Sequence, residues 1–299
     1  MTWKHLNHEG KVDAMQTTTP NNITSALNET TLVLGANGKT GQRVVRQLKE
    51  LGRSVRIGSR SASPAFDWHD PSGWGQVIEG VTSIYIAYHP DLASPGATEA
   101  IEKLIEVARN HKVRKLVLLS GRGEEEAQHC EQLVLNSGIP STVVRCAWFN
   151  QNFSENFMRD MVLGGTIALP VNGVREPFVD VDDIADVAIA ALTEDGHDGQ
   201  IYELTGPELL NFDQAATELS KATGREIRFQ PISHADFMTG MSAADLPDEL
   251  TQLIDYLFTE VLDGRNEYLT DGVQRALGRP PRNFADYASK AAAEGYWNH

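Results

Sequence analysis

The chain has 299 residues, 41% of them hydrophobic and 22% charged, with a formal net charge of −15. That length buries a core without staples and accommodates one large α/β unit with a smaller lobe. The acidity argues against a generic nucleic-acid binder, which carries a basic balance or patch. No apolar run approaches the ~18 residues of a membrane span.

Residues 1–29 are rich in Thr, Asn and Pro. They read as a flexible extension upstream of the fold, with Met15 as a second place to initiate. The segment has no apolar h-region, which argues against a secretory signal. His5 and His8 lie there without the further ligands that a metal site needs, so no metal is expected. Two cysteines, Cys130 and Cys146, are too few for a disulfide framework and fit a reducing cytoplasm.

The elements then follow one another quickly. An apolar strand at 31–34 runs into the glycine-rich turn Gly35–Gly41, and a helix follows with Val44, Val45, Leu48 and Leu51 at helical spacing. Gly52 stops it. A second strand covers 54–58, a short helix 73–78 and a third strand 83–87. A helix over 95–110, a strand over 115–119, a helix over 124–137 and a strand over 141–145 complete the run. Glu124, Glu125 and Glu126 open the last of these helices and read as a solvated acidic start that suits the positive end of the helix dipole. Short buried strands alternating with helices predict a Rossmann-type doubly wound parallel sheet.

Beyond Trp148 the rhythm loosens. Helices are expected over 150–162, 182–192 (capped by Asp180 or Asp182), 212–223 and 250–262, with strands over 200–204 and 227–231. The division predicted is 30–150 for an NAD(P)-binding core and 151–299 for a smaller C-terminal α/β substrate lobe with segments returning to the core. The lobe would sit over the sheet's carboxyl edge, where ligands of open α/β sheets bind.

The sequence Gly35-Ala36-Asn37-Gly38-Lys39-Thr40-Gly41 places glycine at its first, fourth and seventh positions. One glycine makes the tight turn, one admits the pyrophosphate, and one lets helix and strand pack closely. The free N–H groups at the helix start then face the phosphates. A strand before the loop and an amphipathic helix after it supply the context such a motif requires. At the end of the second strand an NAD enzyme offers an acid to the ribose hydroxyls, whereas an arginine accommodates the extra phosphate of NADP. This chain offers Ser59-Arg60, and Lys39 adds a cation expected near the same place, so NADP(H) is favoured over NAD(H).

These features, with Phe66-Asp67-Trp68, Leu118-Leu119-Ser120-Gly121, Trp148-Phe149-Asn150-Gln151-Asn152-Phe153 and Phe178-Val179-Asp180-Val181-Asp182-Asp183-Ile184, resemble the NmrA-like branch of atypical short-chain dehydrogenase/reductases. Within it the chain is similar to the agroclavine dehydrogenase and festuclavine synthase reductases of ergot alkaloid biosynthesis. The resemblance runs from about Thr31 to the C-terminus. It implies that Asp67 and Trp68 lie against the adenine. Ala87 and Tyr88, at the end of what the family counts as the fourth strand, border the ribose and nicotinamide. Ser120, ending the fifth, sits near the nicotinamide, and Trp148, Phe149, Asn150 and Asn152 line the substrate pocket. A turn role for Asp67 and a core role for Trp148 and Phe149 are the plain structural alternatives.

The departure from the wider superfamily is as informative. Ordinary members use Tyr-x-x-x-Lys to protonate a carbonyl oxygen. Four positions after the tyrosines of this chain stand His89, Leu92, Gly206, Glu260, Gly272 and Ala291, or nothing. Gly123 and Ala127 occupy the expected neighbourhood. An iminium acceptor needs only hydride, while an enone or quinone would draw its proton from Tyr88, His129 or water; losing a general acid typically costs ~10²–10⁴-fold. The expected function is hydride transfer from NADP(H) to a small organic electrophile, imine or iminium before enone or quinone, with Tyr88 and Ser120 as candidate catalytic groups. The alternative is a non-catalytic redox sensor of the NmrA regulator kind. Against it, Trp148, Phe149, Phe153, Phe157, Tyr256 and Phe258 offer enough aromatic surface to wall a pocket. The partner expected is a small molecule, not nucleic acid or membrane, and the protein is expected to be a monomer or homodimer.

Overall fold

The computed structural model describes residues 29–155, 158–243 and 247–298. The proposed N-terminal extension, with His5, His8 and Met15, lies outside them up to residue 28, as does Phe157. The first half alternates without interruption: β1 (Thr30–Leu34), α1 (Lys39–Glu50), β2 (Ser54–Gly58), α2 (Trp74–Ile78), β3 (Ser83–Ile86), α3 (Ala97–Asn110), β4 (Lys115–Gly121), α4 (Glu125–Leu135) and β5 (Ser141–Cys146). The second half is less regular. It contains α5 (Asn152–Glu155), α6 (Met158–Leu163), β6 (Thr166–Leu169), β7 (Arg175–Glu176), α7 (Val181–Thr193), β8 (Ile201–Leu204), β9 (Leu210–Asn211), α8 (Phe212–Thr223) and β10 (Arg228–Pro231). Four helices complete it: α9 (His234–Ala243), α10 (Asp248–Tyr256), α11 (Gly272–Leu277) and α12 (Phe284–Ala293). A π-helical turn, Leu257–Val261, continues α10.

Six parallel strands form one sheet in the order β2-β1-β3-β4-β5-β8. This is the doubly wound order 3-2-1-4-5-6 without its outermost strand 3 and with β8 added at the opposite edge. The strand the family counts as fourth is therefore third in this chain, because residues 66–70 close on themselves through an Asp67–Asp70 bridge instead of adding an edge. The four inner strands, β1, β3, β4 and β5, are buried on both faces, as a parallel sheet requires. One face packs α3 and α4 through Ile101, Leu104 and Val134; the other packs α1 and α7 through Val44, Leu48, Ile184 and Ala188. Leu51, expected on the buried stripe of α1, is 58% exposed, since it stands just past the helix end where the chain has already turned away.

A third cluster fills the C-terminal lobe with Phe153, Phe178, Phe212, Phe284, Tyr287 and Trp297. β8 and α7 belong to the sheet although they lie beyond residue 151, so segments of the second half do return to the core. The strand expected over 227–231 is β10, which pairs with β6; β6, β7 and β9, and helices α9, α11 and α12, are too short or too mixed in composition to show a period in the sequence. The helix expected over 150–162 is two pieces among the described residues, α5 and α6.

Candidate active site

The sheet order sets out the site. Moving along the carboxyl edge from β2, the chain presents Ser59 and Arg60, then the Gly35–Gly41 turn after β1, then Ala87 and Tyr88 after β3. Ser120 to Arg122 follow at the end of β4 and Trp148–Phe149 after β5. Two adjoining cavities occupy this edge. The first, about 670 Å³, is lined by Gly35, Asn37, Gly38, Lys39, Thr40, Ser59, Arg60, Asp67, Trp68, Ala87 and Tyr88. These are the residues expected to hold a dinucleotide, with Gly41 behind them.

The turn is built for close approach. Gly35 has φ +70°, and a Cβ there would meet Ala87 O at 2.8 Å, so the β1 and β3 exits touch. A Cβ on Gly41 would overlap Gly35 O and come within 2.8 Å of Ala36 Cα, so helix and turn close only around glycine. Gly38 N–H donates to Gly35 O at 2.9 Å and stands at the start of α1. That start carries no side-chain cap and no acid in its first turn. α7 and α8 close theirs: Asn211 and Gln214 form a capping box on α8, and Asp180 caps α7. An open, positive helix start of this kind suits a phosphate group.

Arg60 is exposed at the cleft and has no ion pair among the described residues, and no acid follows β2. Asp67 has the turn role weighed for it and also stands in the cleft. It lines the cleft, and its Oδ1 accepts the His69 N–H at 3.0 Å in a local turn. Trp68 packs on Phe66, Trp74 and Tyr88, the last at 4.7 Å between centroids, which makes a rigid aromatic wall. These residues fit a nicotinamide dinucleotide: open helix start and turn for pyrophosphate, Arg60 for a charged ribose, Trp68 and Asp67 beside the adenine.

The second cavity, about 620 Å³, shares Lys39, Tyr88, Leu119 and Phe149 with the first, so the two are contiguous there. Lys39 thus belongs to the junction as well as to the cleft that holds Arg60. Burial depresses its ammonium, with Glu155 opposing and Arg43 reinforcing that shift. Ser120, Trp148, Phe149 and Asn152 line the second cavity, with Leu250, Ile254, Leu257, Phe258 and Val261 from α10 and its π-helical turn as an apolar wall. Trp148 meets Phe258 at 5.2 Å.

Several expected residues lie elsewhere. Asn150 is fully buried behind the cavity, not in its lining, and both polar atoms of its side chain are without a hydrogen-bond partner. Phe153 belongs to the lobe's core and Tyr256 is outside the lining. His129 is on the solvent face of α4 and faces no substrate, whereas Cys130 next to it is buried, its thiol pushed up by that burial. Ser120 lines the cavity but donates its hydroxyl proton to Glu131 at 2.7 Å, and Glu131 is in turn held by Arg145. So committed, Ser120 can accept a hydrogen bond from a ligand but has no proton to give. Tyr88 keeps its proton: burial, then Glu249, raises the phenol. The acidic start of α4 also divides. Glu125 and Glu126 are exposed, but Glu124 is only 4% exposed and lines the second cavity.

Sequence reading missed how the two long motifs cooperate. Trp148 O accepts the Val179 N–H, Asn150 N–H donates to Val179 O, and Gln151 bonds both Asp180 Oδ1 and the Val181 N–H at 2.9 Å. Trp148–Asn152 is therefore braced from below by 179–181, and Gln151 and Asp180 are positioning residues. Their presence in two motifs far apart in the chain was a signal without a geometry. Arg122 was missed too; it bonds Glu203 at 2.7 Å and stacks on Tyr268 at 4.3 Å, closing the far wall.

No family model matches the chain. Agroclavine dehydrogenase of Claviceps fusiformis is 30% identical over 283 residues, covering 87% of this chain and 96% of that protein. The chain belongs to the NmrA-like atypical short-chain dehydrogenase/reductase family and is related to its clavine reductases. Festuclavine synthase II of Penicillium roqueforti is also 30% identical, over 287 residues covering 87% and 97%. Prestalk A differentiation protein A of Dictyostelium discoideum is 29% identical over 286 residues, covering 90% and 94%. Among solved structures, an NADPH-dependent quinone oxidoreductase of Escherichia coli with bound NADPH superposes with a TM-score of 0.73 at 19% identity, covering 87% and 99%. NmrA, a negative transcriptional regulator solved with NAD, superposes at 0.67 and 17% identity, covering 90% and 98%. By its family the chain is an NAD(P)H-dependent oxidoreductase. Among the described residues no helix is long and apolar enough to cross a membrane, and no cluster of metal-ligand side chains occurs.

Proposed function

We propose that this protein transfers hydride from NADPH to a small, largely apolar organic electrophile, with an imine or iminium preferred and an enone or quinone next. The observation that carries the reading is the junction at Tyr88, Lys39 and Phe149. There a dinucleotide cleft opens into an aromatic-walled cavity that lacks a Tyr-x-x-x-Lys pair. Gly35, Asn37, Gly38, Thr40 and Gly41 would hold the pyrophosphate, Ser59 and Arg60 the phosphorylated ribose, Asp67 and Trp68 the adenine, and Ala87 and Tyr88 the nicotinamide end. The bound cofactor supplies the hydride. The protein orients the acceptor and keeps water away with Trp148, Phe149 and the π-helical turn.

The unpaired Arg60 and the absence of an acid after β2 support NADP(H) over NAD(H). The names of the clavine relatives support a reductase of nitrogen heterocycles, and the bound cofactor of the quinone oxidoreductase agrees with NADPH. We further assign residues 30–150 to cofactor binding and 151–299, apart from the segments that return to the sheet, to the substrate, in a cytoplasmic monomer or homodimer. NADPH oxidation against cyclic imines, enones and quinones tests the reading: turnover of imines fastest supports it. Tight NADPH binding with no turnover of any class returns the chain to the sensor reading, whose support is the fold it shares with NmrA.

A further inference from the structure

Among the groups of the second cavity, Glu124 is out of place. It precedes α4, yet its side chain does not cap that helix, and its carboxyl lies 4% exposed in an apolar wall. Space for it is made by Gly121, where any Cβ would overlap Glu124 Oε1. Oε2 is buried and receives no hydrogen bond from a donor among the described residues. The carboxyl of Asp91, which also lines the cavity, stands beside it. Two carboxylates offer each other only acceptors, so this pair bonds by sharing a proton.

We propose that Glu124, paired with Asp91, delivers the proton to the nitrogen of a neutral imine in this cavity. The proposal rests on the imine reading above and names the proton source which that reading lacks. The Glu124 O–H bond breaks as the imine N–H bond forms, and the resulting iminium lies against two carboxylates. Its carbon then accepts hydride from the reduced nicotinamide, leaving the amine. Glu124 regains a proton from solvent, so each turnover consumes one imine, one NADPH and one proton.

The surroundings agree. Burial first, then Asp91, Glu126 and Glu131, raise the Glu124 carboxyl well above the ordinary range. Tyr256 on α10 is pushed up to about 12, by burial first and then by Glu124 and Glu126. Of the cations nearby, Arg122 is committed to Glu203, and Arg265 to Asp263 and Gly123 O. No lysine or arginine among the described residues bonds the Glu124 carboxyl, so it is not held ionised.

The test compares a cyclic imine, at a pH where it is neutral in solution, with its permanently charged N-methyl iminium analogue. Glu124→Gln is expected to lower imine turnover about 10²-fold or more while iminium turnover falls less than tenfold. Asp91→Asn offers Glu124 an amide donor in place of the shared proton. The alkaline limb of imine turnover, which falls as Glu124 ionises, is then expected to move by about one pH unit or more to lower pH. Infrared difference spectra of the wild type minus Glu124→Gln at neutral pH give a readout apart from activity: a protonated-carboxyl component, additional to that of Glu176, is present in the wild type and missing from the variant. Equal losses on imine and iminium, or spectra that do not differ in the protonated-carboxyl region, overturn the proposal and leave the reductase reading standing. A wild type that reduces neither substrate overturns both.

Discussion

The two halves of the catalytic edge are built from different materials. The cofactor cleft is mostly backbone: a turn closed by Gly35 and Gly41, an uncapped helix start, and one free arginine, all within 30 residues of sequence. The substrate cavity is mostly side chain and is gathered from six separated stretches: Lys39, Tyr88–Leu92, Leu119–Glu124, Cys146–Asn152, Leu250–Val261 and Asn266. A backbone cradle tolerates almost no change because its contacts are between main chains. A side-chain cavity is adjustable residue by residue, which is what a family with one cofactor and many acceptors requires.

The largest expected effect tests the rigid half. Gly41→Val forces a Cβ into Gly35 O, and NADPH affinity measured by fluorescence titration should fall by about 10²-fold or more. A variant that binds normally would show that the turn has slack the geometry denies. Arg60→Ala should weaken NADPH about 10- to 100-fold, the value of a charged hydrogen bond, and leave NADH within about threefold. Parallel losses for both cofactors would remove the argument for NADP. In the adjustable half, Trp148→Ala should raise the KM for the imine about tenfold, with NADPH affinity little changed.

The smallest effect lies outside both cavities, in the wall behind them. Glu176 is fully buried without a hydrogen-bond partner among the described residues, and burial pushes its carboxyl up to about 8 against the counter-pull of Arg122. The unfolded group titrates near 4.5, so between that pH and about 8 the folded chain holds a proton that the unfolded chain has released. Stability therefore falls as pH rises through this window and stays reduced above it. Glu176→Gln should flatten that slope and raise Tm at pH 9 by roughly 5 °C relative to the wild type. An unchanged pH profile would mean that Glu176 is ionised in the fold.

The same contrast explains what the sequence disclosed. The Gly35–Gly41 turn, Arg60, Tyr88 and the missing Tyr-x-x-x-Lys are local features, and a local reading finds them. Trp148, Phe149 and Asn152 were found through a motif and do line the cavity, but Asn150 beside them is buried, because its N–H is tied to Val179 O where the chain turns toward α5, a contact with a distant segment. Glu124 read as one of three solvated acids, since nothing in Glu124-Glu125-Glu126 shows that Gly121 leaves a hole for the first of them. Ser120 looked free for chemistry because Glu131 and Arg145, which engage it, lie 11 and 25 positions on in the sequence. The bracing of Trp148–Asn152 by Asp180 is likewise a contact between motifs, visible only once the chain has folded.

The central claim is that the two cavities meet where hydride passes from the cofactor to a carbon–nitrogen double bond. It is tested most directly with NADPH carrying deuterium at the transferable position of the nicotinamide, incubated with the protein and a cyclic imine. The account predicts an amine with one deuterium on the former imine carbon, a label that NADPH without protein does not deliver. Protein that binds the labelled cofactor yet yields no deuterated amine, or amine labelled only from solvent, would contradict it.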